Sequence, residues 1–437
     1  MRNIKSFIEK IKNKKLNVGV IGMGYVGLPL SILIAKKNFK VFGFDQDNHK
    51  IKQLVSKDCY IKHISKNNLR KVIDNNTLFP TSNFKLLSNM DIIIICVPTP
   101  LTKSKKPNLK FVNSATKKII KNIKKKSPLI ILESTTYPGT CKELLKKFYV
   151  KNNFIDGKNF FMSYSPERED PGNKKFTTEN IPKVIGADKL ASKKIIKAFY
   201  SKIFKKVIEV DSLDVAEATK IYENIFRAVN IALVNEMKFA FKKININVWD
   251  VIKASKTKPF GFMPFYPGPG LGGHCIPIDP IYFSWKLDKH KFNCKFIKLA
   301  EKINSNVPKK IIDNIITLRK RIKINKVLIL GMAYKKNIDD YRESPSLFIM
   351  NDLLIKNFKV DFHDKYIKKI GKNRHYPRLQ NKKNTNLSIQ RIKKYDLILI
   401  LTDHDYVNYD MIKNNSKLII DTRNVFSKSK DDKIIRM

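Results

Sequence analysis

The chain has 437 residues, 43% of them hydrophobic, enough for two or three domains with their own cores and too apolar for a disordered chain. No apolar run reaches the ~18 residues of a membrane span. Five scattered cysteines without a C-x-x-C pair support neither a disulfide framework nor a zinc site, and no metal centre is expected. The net charge of +49 comes from 87 basic and 38 acidic residues. These basic residues are spread along the whole chain, lysine outnumbers arginine, and no RNP, KH or zinc-finger pattern occurs. Nucleic-acid binding is therefore set aside, while the positive field favours a small anionic substrate.

Residues 1–15 read as a short amphipathic helix at the surface, without the apolar core of a leader or a membrane insertion, and the protein is expected in the cytoplasm. Residues 16–210 read as an NAD-type Rossmann domain. Its strands fall at 17–21, 40–45, 91–97 and 129–132, with a helix at 28–37. The continuous apolar runs suit strands buried on both faces of a doubly wound parallel sheet. A helix without Gly or Pro spans about 211–244 and opens a central domain, 211–322, with apolar surface left for a partner subunit. A second α/β pattern occupies 323–437, with strands at 326–330, 359–363, 396–401 and 418–421. Residues 365–394 read as solvated loop and surface helix. The fold class is α/β: two Rossmann-like doubly wound domains joined by a central long-helix domain.

Gly22, Gly24 and Gly27 form G-x-G-x-x-G, enclosing Tyr25 and Val26, directly after the first strand and opening a helix. Asp45 ends the second strand about twenty residues on. This arrangement seats a pyrophosphate on the helix N-terminus and an acidic side chain on the ribose hydroxyls. An acid there would repel the extra phosphate of NADP, so NAD is expected. Pro98, Thr99 and Thr135 follow buried strands, where ligands of open α/β sheets bind. Glu167 and Arg168 by themselves suggest an ion pair. Lys220, Asn224 and Arg227 lie at i, i+4 and i+7 on the long helix. They form either its solvated stripe or, for the first two, a pair able to hold an oxyanion.

Residues 259–280, PFGFMPFYPGPGLGGHCIPIDP, combine prolines that fix φ with glycines that permit close approach. Phe265, Tyr266, Gly268, Gly270, Gly272 and Gly273 shape this loop around a ligand, and it delivers Cys275 with Asp279 four residues later. A buried structural cysteine is the commoner case. The rigid polar setting, with Lys220 or His274 to supply positive charge, argues for a reactive thiol. The other four cysteines read as structural. In the last domain, Lys335 and Arg342 follow a strand and are placed to meet phosphates, or to pair with Asp339 and Asp340.

In this order GMGYVG, VPTP, STTYPG, SPE, K-x-x-x-N, GGHCIPID and GMAYKKNIDDYRESP resemble the UDP-glucose/GDP-mannose dehydrogenase family, from Gly22 to Arg423. The resemblance implies a homodimer that oxidises the sixth carbon of a nucleotide sugar to the acid with two NAD. It implies Cys275 as nucleophile, Glu167 as acid/base, Lys220 and Asn224 as oxyanion holders, and Asp279 as the carboxylate that supports water or the lysine. Thr135 joins the catalytic set. Glu167, Arg168, Lys220, Asn224, Arg227, the loop residues, Lys335 and Arg423 contact the substrate, while Arg342 and the strand-end residues contact the cofactor. Ile278 stands where relatives acting on UDP-glucose carry lysine. This departure implies an N-acetylated sugar, UDP-N-acetyl-D-glucosamine foremost, for surface-polysaccharide synthesis. UDP-N-acetylmannosamine, UDP-N-acetylgalactosamine and UDP-glucose are the alternatives. A catalytically silent NAD- or nucleotide-sugar-binding regulator on the same fold is the alternative of another class.

Overall fold

A computed structural model describes the chain except residues 1, 62–63, 103, 124–126, 169–175, 274 and 374, and the side chains of residues 2 and 3. His274, expected beside the thiol, lies outside the described residues. Two compact units result: Met1–Glu223 with Trp285–Lys291, and Asn224–Ser284 with Phe292–Met437.

The first unit is built on an eight-stranded sheet. Its strands are β1 (Asn17–Ile21), β2 (Lys40–Phe44), β3 (Leu78–Thr81), β4 (Ile92–Ile95), β5 (Leu129–Leu132), β6 (Phe161–Tyr164), β7 (Lys183–Gly186) and β8 (Val207–Val210). They run in the order β3-β2-β1-β4-β5-β6-β7-β8. All neighbours are parallel except β6 and β7, which pair antiparallel through Tyr164 and Gly186. The isoleucines of β4 show why such a strand reads as one apolar run. Ile92 and Ile94 enter one core, and Ile93 and Ile95 enter the core on the opposite face.

Helices α1 (Arg2–Lys12), α2 (Gly27–Lys36), α3 (Asn48–Val55) and α4 (Lys66–Asp74) cover the first face, α5 (Lys110–Asn122) and α6 (Thr140–Leu144) the second, and α7 (Leu190–Tyr200) returns to the first. The expected amphipathic helix at the N-terminus is α1, but it is a layer of the core and not a surface appendage. Ile11 is fully buried, Ile4 and Phe7 pack beside it, and the Phe7 ring stands edge-on to Phe161 at 6.1 Å.

Helix α8 (Leu213–Lys243) begins in the first unit and ends in the second. The second unit continues with α9 (Val248–Ser255), the start of α10 (Asp279–Asp288) and α11 (Lys295–Arg319). Its parallel sheet comprises β9 (Lys326–Leu330), β10 (Lys359–His363), β11 (Leu397–Ile400), β12 (Ile419–Asp421) and β13 (Ile434–Arg436), in the order β10-β9-β11-β12-β13. Helices α11 and α12 (Pro345–Ile355) pack on one face, and α13 (Ile389–Ile392) and α14 (Tyr409–Asn415) on the other. The stretch expected to be solvated, 365–394, instead gives Ile367, Ile370, Leu379 and Ile392 to these cores. Single apolar residues among lysines and asparagines carry no period, so their burial is invisible without the fold.

Candidate active site

In the first unit the end of β1 turns sharply into α2. Gly22 has φ 100°, and a Cβ there would sit 2.4 Å from the Cys96 carbonyl oxygen. A Cβ on Gly27 would lie 1.9 Å from the carbonyl oxygen of Gly22. Gly24 is different, because a Cβ there would meet nothing within 4 Å. Two glycines therefore let the turn close on itself, and the third leaves open space at the N-terminus of α2, where a pyrophosphate is favoured. The Asp45 carboxylate accepts from the amides of Met23 and Asp47, both at 3.0 Å, which ties the glycine turn to the end of β2. Tyr60, which sequence reasoning missed, donates its hydroxyl to the Met23 carbonyl. Asp47 caps α3 through the amides of His49 and Lys50. The residues present fit a dinucleotide.

The other strand ends lie on the same edge of this sheet. Ser134 bonds both backbone groups of Val97, at 2.9 and 2.7 Å, and so joins the ends of β4 and β5. Thr99 is buried, Pro98 exposed, and Thr135 half-buried. Past β6, Glu167 is half-buried, while the Arg168 guanidinium is committed to Glu223 at 2.6 Å and to the Pro182 carbonyl at 2.9 Å. The ion pair suspected in this segment thus belongs to Arg168. A buried pair between Glu133 and Lys183 at 2.8 Å was also missed.

Helix α8 does not expose its polar stripe. Lys220 and Asn224 are 7% and 5% exposed, whereas Arg227 is exposed. The stripe extends one turn back to Glu217, which is fully buried and accepts from the amides of Gly139 and Cys141 at 2.6 and 2.8 Å. It thereby holds the Ser134–Thr140 turn against α8. Burial pushes this carboxyl up to about 7, although the amides oppose the shift. The signal was present in the sequence: Glu217 lies three residues before Lys220 and seven before Asn224, on one face.

In the second unit the cysteine loop is pinned along its length. Phe265 packs beside Val234, Val248 and Ile252, and Tyr266 stacks on Trp249 with centroids 6.0 Å apart. Gly268 donates its amide to the Asn235 side chain at 3.1 Å, and its carbonyl lies 3.4 Å from the Lys238 ammonium. Burial lowers Lys238 to about 7, with Lys242, Arg423 and Lys310 adding to the shift. Gly270 lies against Pro308 and Pro345. Gly272 would place a Cβ 2.5 Å from the Cβ of Tyr334, and the Gly273 amide donates to the Arg342 carbonyl at 3.1 Å. The loop therefore packs on the segment that carries half-buried Lys335. Arg342 forms a fork with Asp340, at 2.9 and 2.7 Å, which is the structural pairing left open by the sequence. Arg423 pairs with Asp403 at 2.8 Å, and its guanidinium would lie 2.8 Å from a Cβ placed on Gly268.

Cys275 is half-buried, and its carbonyl accepts from the amides of Ile278 at 3.0 Å and Asp279 at 2.8 Å, the turn that opens α10. The Asp279 carboxylate is buried and accepts from the Asn224 amide at 2.5 Å. Ile278 is also buried. Cys275 thus belongs to the turn that leads into the N-terminus of α10, the positive end of a helix. Among the described residues no cluster of His, Cys, Asp and Glu is arranged to hold a metal ion.

A doubly wound sheet with this glycine turn and acid-tipped second strand defines a dinucleotide-using oxidoreductase. Residues 16–204 match the NAD binding domain, 214–306 the central domain and 328–428 the UDP binding domain of one family. The chain belongs to the UDP-glucose/GDP-mannose dehydrogenase family, as its motifs led one to expect. It is 34% identical over 424 residues to the UDP-N-acetyl-D-mannosamine dehydrogenase of Methanocaldococcus jannaschii, covering 94% of this chain and 92% of that protein. It is 33% identical over 363 residues to the UDP-N-acetyl-D-glucosamine 6-dehydrogenase of Pseudomonas aeruginosa, covering 81% and 84%. The solved UDP-D-ManNAc dehydrogenase of Pyrococcus horikoshii matches with a TM-score of 0.85 at 27% identity, covering 96% of this chain and 99% of that one.

Two measurements follow from these contacts. Gly24→Ala should leave the thermal midpoint within a few degrees of wild type but raise KM for NAD, whereas Gly27→Ala should unfold or severely destabilise the first unit; equal effects would contradict the division of labour in the turn. The raised Glu217 carboxyl makes the second prediction. Because the unfolded chain ionises this group first, stability falls as pH rises from 4.5 to about 7 and then levels off. Glu217→Gln lacks this penalty, so its melting temperature relative to wild type should climb between about pH 5 and about pH 8. A difference independent of pH would show that Glu217 does not titrate in that range.

Proposed function

We propose that the protein oxidises the sixth carbon of a UDP-N-acetylhexosamine from alcohol to carboxylate, and that it does so through Cys275. The observation that carries this reading is the turn in which Cys275 and Asp279 open α10 while Asp279 holds the buried Asn224 amide. The glycine turn, Asp45, Pro98, Thr99 and Thr135 would hold NAD, which when bound supplies the hydride acceptor for each of two oxidations. Loss of a hydride and a proton converts the alcohol to an aldehyde, and Glu167 moves the proton. The Cys275 sulfur then adds to the aldehyde carbon, forming a C–S bond and a thiohemiacetal whose oxygen Lys220 and Asn224 stabilise. Loss of a second hydride and proton leaves a thioester on Cys275. Water attacks its carbonyl carbon, the C–S bond breaks, and the thiol leaves with the uronic acid formed. Covalent attachment prevents escape of the aldehyde and divides a difficult step in two.

The Asp279 contact adds a feature to Asn224 that its sequence position did not carry. One amide hydrogen is engaged by a buried carboxylate, so the side chain is oriented before substrate arrives, as an oxyanion donor needs to be. Arg423 and Lys335 supply positive charge suited to the UDP diphosphate. Buried Ile278 keeps an ammonium out of the turn where relatives acting on UDP-glucose have one.

UDP-N-acetyl-D-glucosamine is the substrate we favour from the sequence of this loop. UDP-N-acetyl-D-mannosamine is the second reading, supported by the names of the archaeal relatives. Both would yield an activated uronic acid for surface polysaccharide. We place the reaction in the cytoplasm, where NAD and nucleotide sugars are made and used. The domain division 16–210, 211–322 and 323–437 then separates NAD binding, the thiol loop and UDP binding. A homodimer would use α8, on which Val215, Tyr222, Phe226 and Leu233 are exposed along one ridge at 45%, 72%, 42% and 53%.

A panel of UDP-hexoses tests this reading by NADH production. The N-acetylated sugars should exceed UDP-glucose in kcat/KM by at least about 100-fold, as expected when a site provides polar contacts for a group the competitor lacks. The better epimer decides between the two readings, and no turnover with any of them would favour a silent regulator. Asn224→Ala should lower kcat by roughly 10²–10³, and Cys275→Ser should stop uronic acid release. Normal turnover in either variant would refute the role given to that side chain.

A further inference from the structure

The first unit contains a cleft of about 680 Å³ between α5, α6 with the turn that follows it, and Trp285. This volume falls in the range of small-molecule sites. The dinucleotide turn is elsewhere: none of Gly22, Gly24, Gly27 or Asp45 lines the cleft.

Its charge is one-sided. Lys110, Lys117 and Lys147 line it, and none of them pairs with a carboxylate among the described residues. The one carboxylate in the described lining, Glu143, is already answered by the Lys286 ammonium at 2.8 Å and the Tyr137 hydroxyl at 2.6 Å. The N-terminal turn of α5 opens on the same space, with its positive dipole end. What remains is a field suited to an anion.

One wall of the cleft is aromatic. The rings of Tyr137 and Trp285 lie 5.2 Å apart, inclined at 47°, and are held by Lys286 over the tyrosine at 5.1 Å and Lys289 over the indole at 3.8 Å. Trp285 is half-buried, so part of a large indole faces the cleft. A flat ring can pack there while a phosphate meets the lysines.

We propose that this cleft is a second, non-catalytic site for a phosphate-bearing ligand with a flat ring, a nucleoside mono- or diphosphate. Its walls would carry occupancy to the chemistry. Tyr137 lies two residues after Thr135 in one turn, and Trp285 lies six residues after Asp279 on α10. A ligand bridging the two rings stiffens both elements and acts on kcat without competing for substrate. The ligand class is the one to which the proposed substrate and product belong, which makes feedback by a nucleotide end product the natural use.

The chain has two tryptophans, so Trp249→Phe leaves Trp285 as the sole indole and its fluorescence as a local probe. With NAD saturating, AMP and UMP are titrated into this full-length variant, and ribose 5-phosphate serves as the ringless control. A saturable change in Trp285 emission is expected below about 1 mM nucleotide, with ribose 5-phosphate much weaker. Adding Lys117→Glu and Lys147→Glu should weaken binding at least about tenfold, as for lost charge-assisted phosphate contacts, without altering kcat for the sugar. No saturable change up to about 10 mM, or an unchanged midpoint in the lysine variant, overturns the site. Equal binding of ribose 5-phosphate overturns the aromatic part. The fluorescence titrations do not depend on turnover, so they fail or succeed independently of the catalytic assignment.

Discussion

The loop that carries Cys275 is anchored by a carboxylate buried at the start of a helix. Asp279 is 3% exposed, and a charge so placed is tolerated only when donors answer it. Its amide closes the turn on the Cys275 carbonyl, and its carboxylate takes the Asn224 side chain. One residue therefore fixes the loop that bears the thiol and orients an amide on α8. Removing it would leave Asn224 without a buried partner and the loop without its anchor. The prolines and glycines of residues 259–278 are then best understood as the means of delivering a rigid loop to that anchor.

Helix α8 extends the same logic along its length. Glu217, Lys220, Asn224, Asn235 and Lys238 are spaced three, four, eleven and three apart, and all are buried. Several of these contacts tie a loop or helix start to α8: Glu217 the turn after β5, Asn224 the start of α10, Asn235 and Lys238 the glycine at 268, while Asn235 also bonds Asn304 on α11. A helix of mostly apolar residues would pack as well, but it would hold no loop in register. The opposite consequence is visible in the two groups displaced toward neutrality, Glu217 upward and Lys238 downward, both by burial. Desolvation is the cost of using side-chain charge as a fastener, and it makes both contacts sensitive to pH.

Much of this was legible in the sequence for physical reasons. Short continuous apolar runs bounded by polar residues suit strands buried on both faces, and the isoleucines of β4 divide between two cores as that requires. G-x-G-x-x-G between strand and helix names its own turn, because a Cβ at two of the three positions would collide with backbone. Among the described residues β3, β6, β7, β8 and β13 escaped notice, and in three of them composition or exposure breaks the pattern. β3 contains Pro80, β6 has Ser163 between large side chains, and β8 is only half-buried. The site was legible as a set of residue types and much less so as a set of contacts. Arg168 and Arg342 read as hands for a ligand, yet each holds a carboxylate of the protein itself. The face that Glu217 shares with Lys220 and Asn224 follows from their spacing, but the burial of Glu217 and Lys238 is a tertiary property that no local pattern states.

The central claim is that the second oxidation takes place on sulfur at position 275. Rapid mixing of enzyme, NAD and the best UDP-N-acetylhexosamine, quenched in acid within the first turnovers, would capture the thioester for peptide mass analysis. The account predicts the mass of the UDP-sugar acyl group on the peptide containing Cys275, appearing and disappearing while two NADH form per uronic acid released. An adduct on another residue, or two NADH per product with Cys275 never modified, would contradict it.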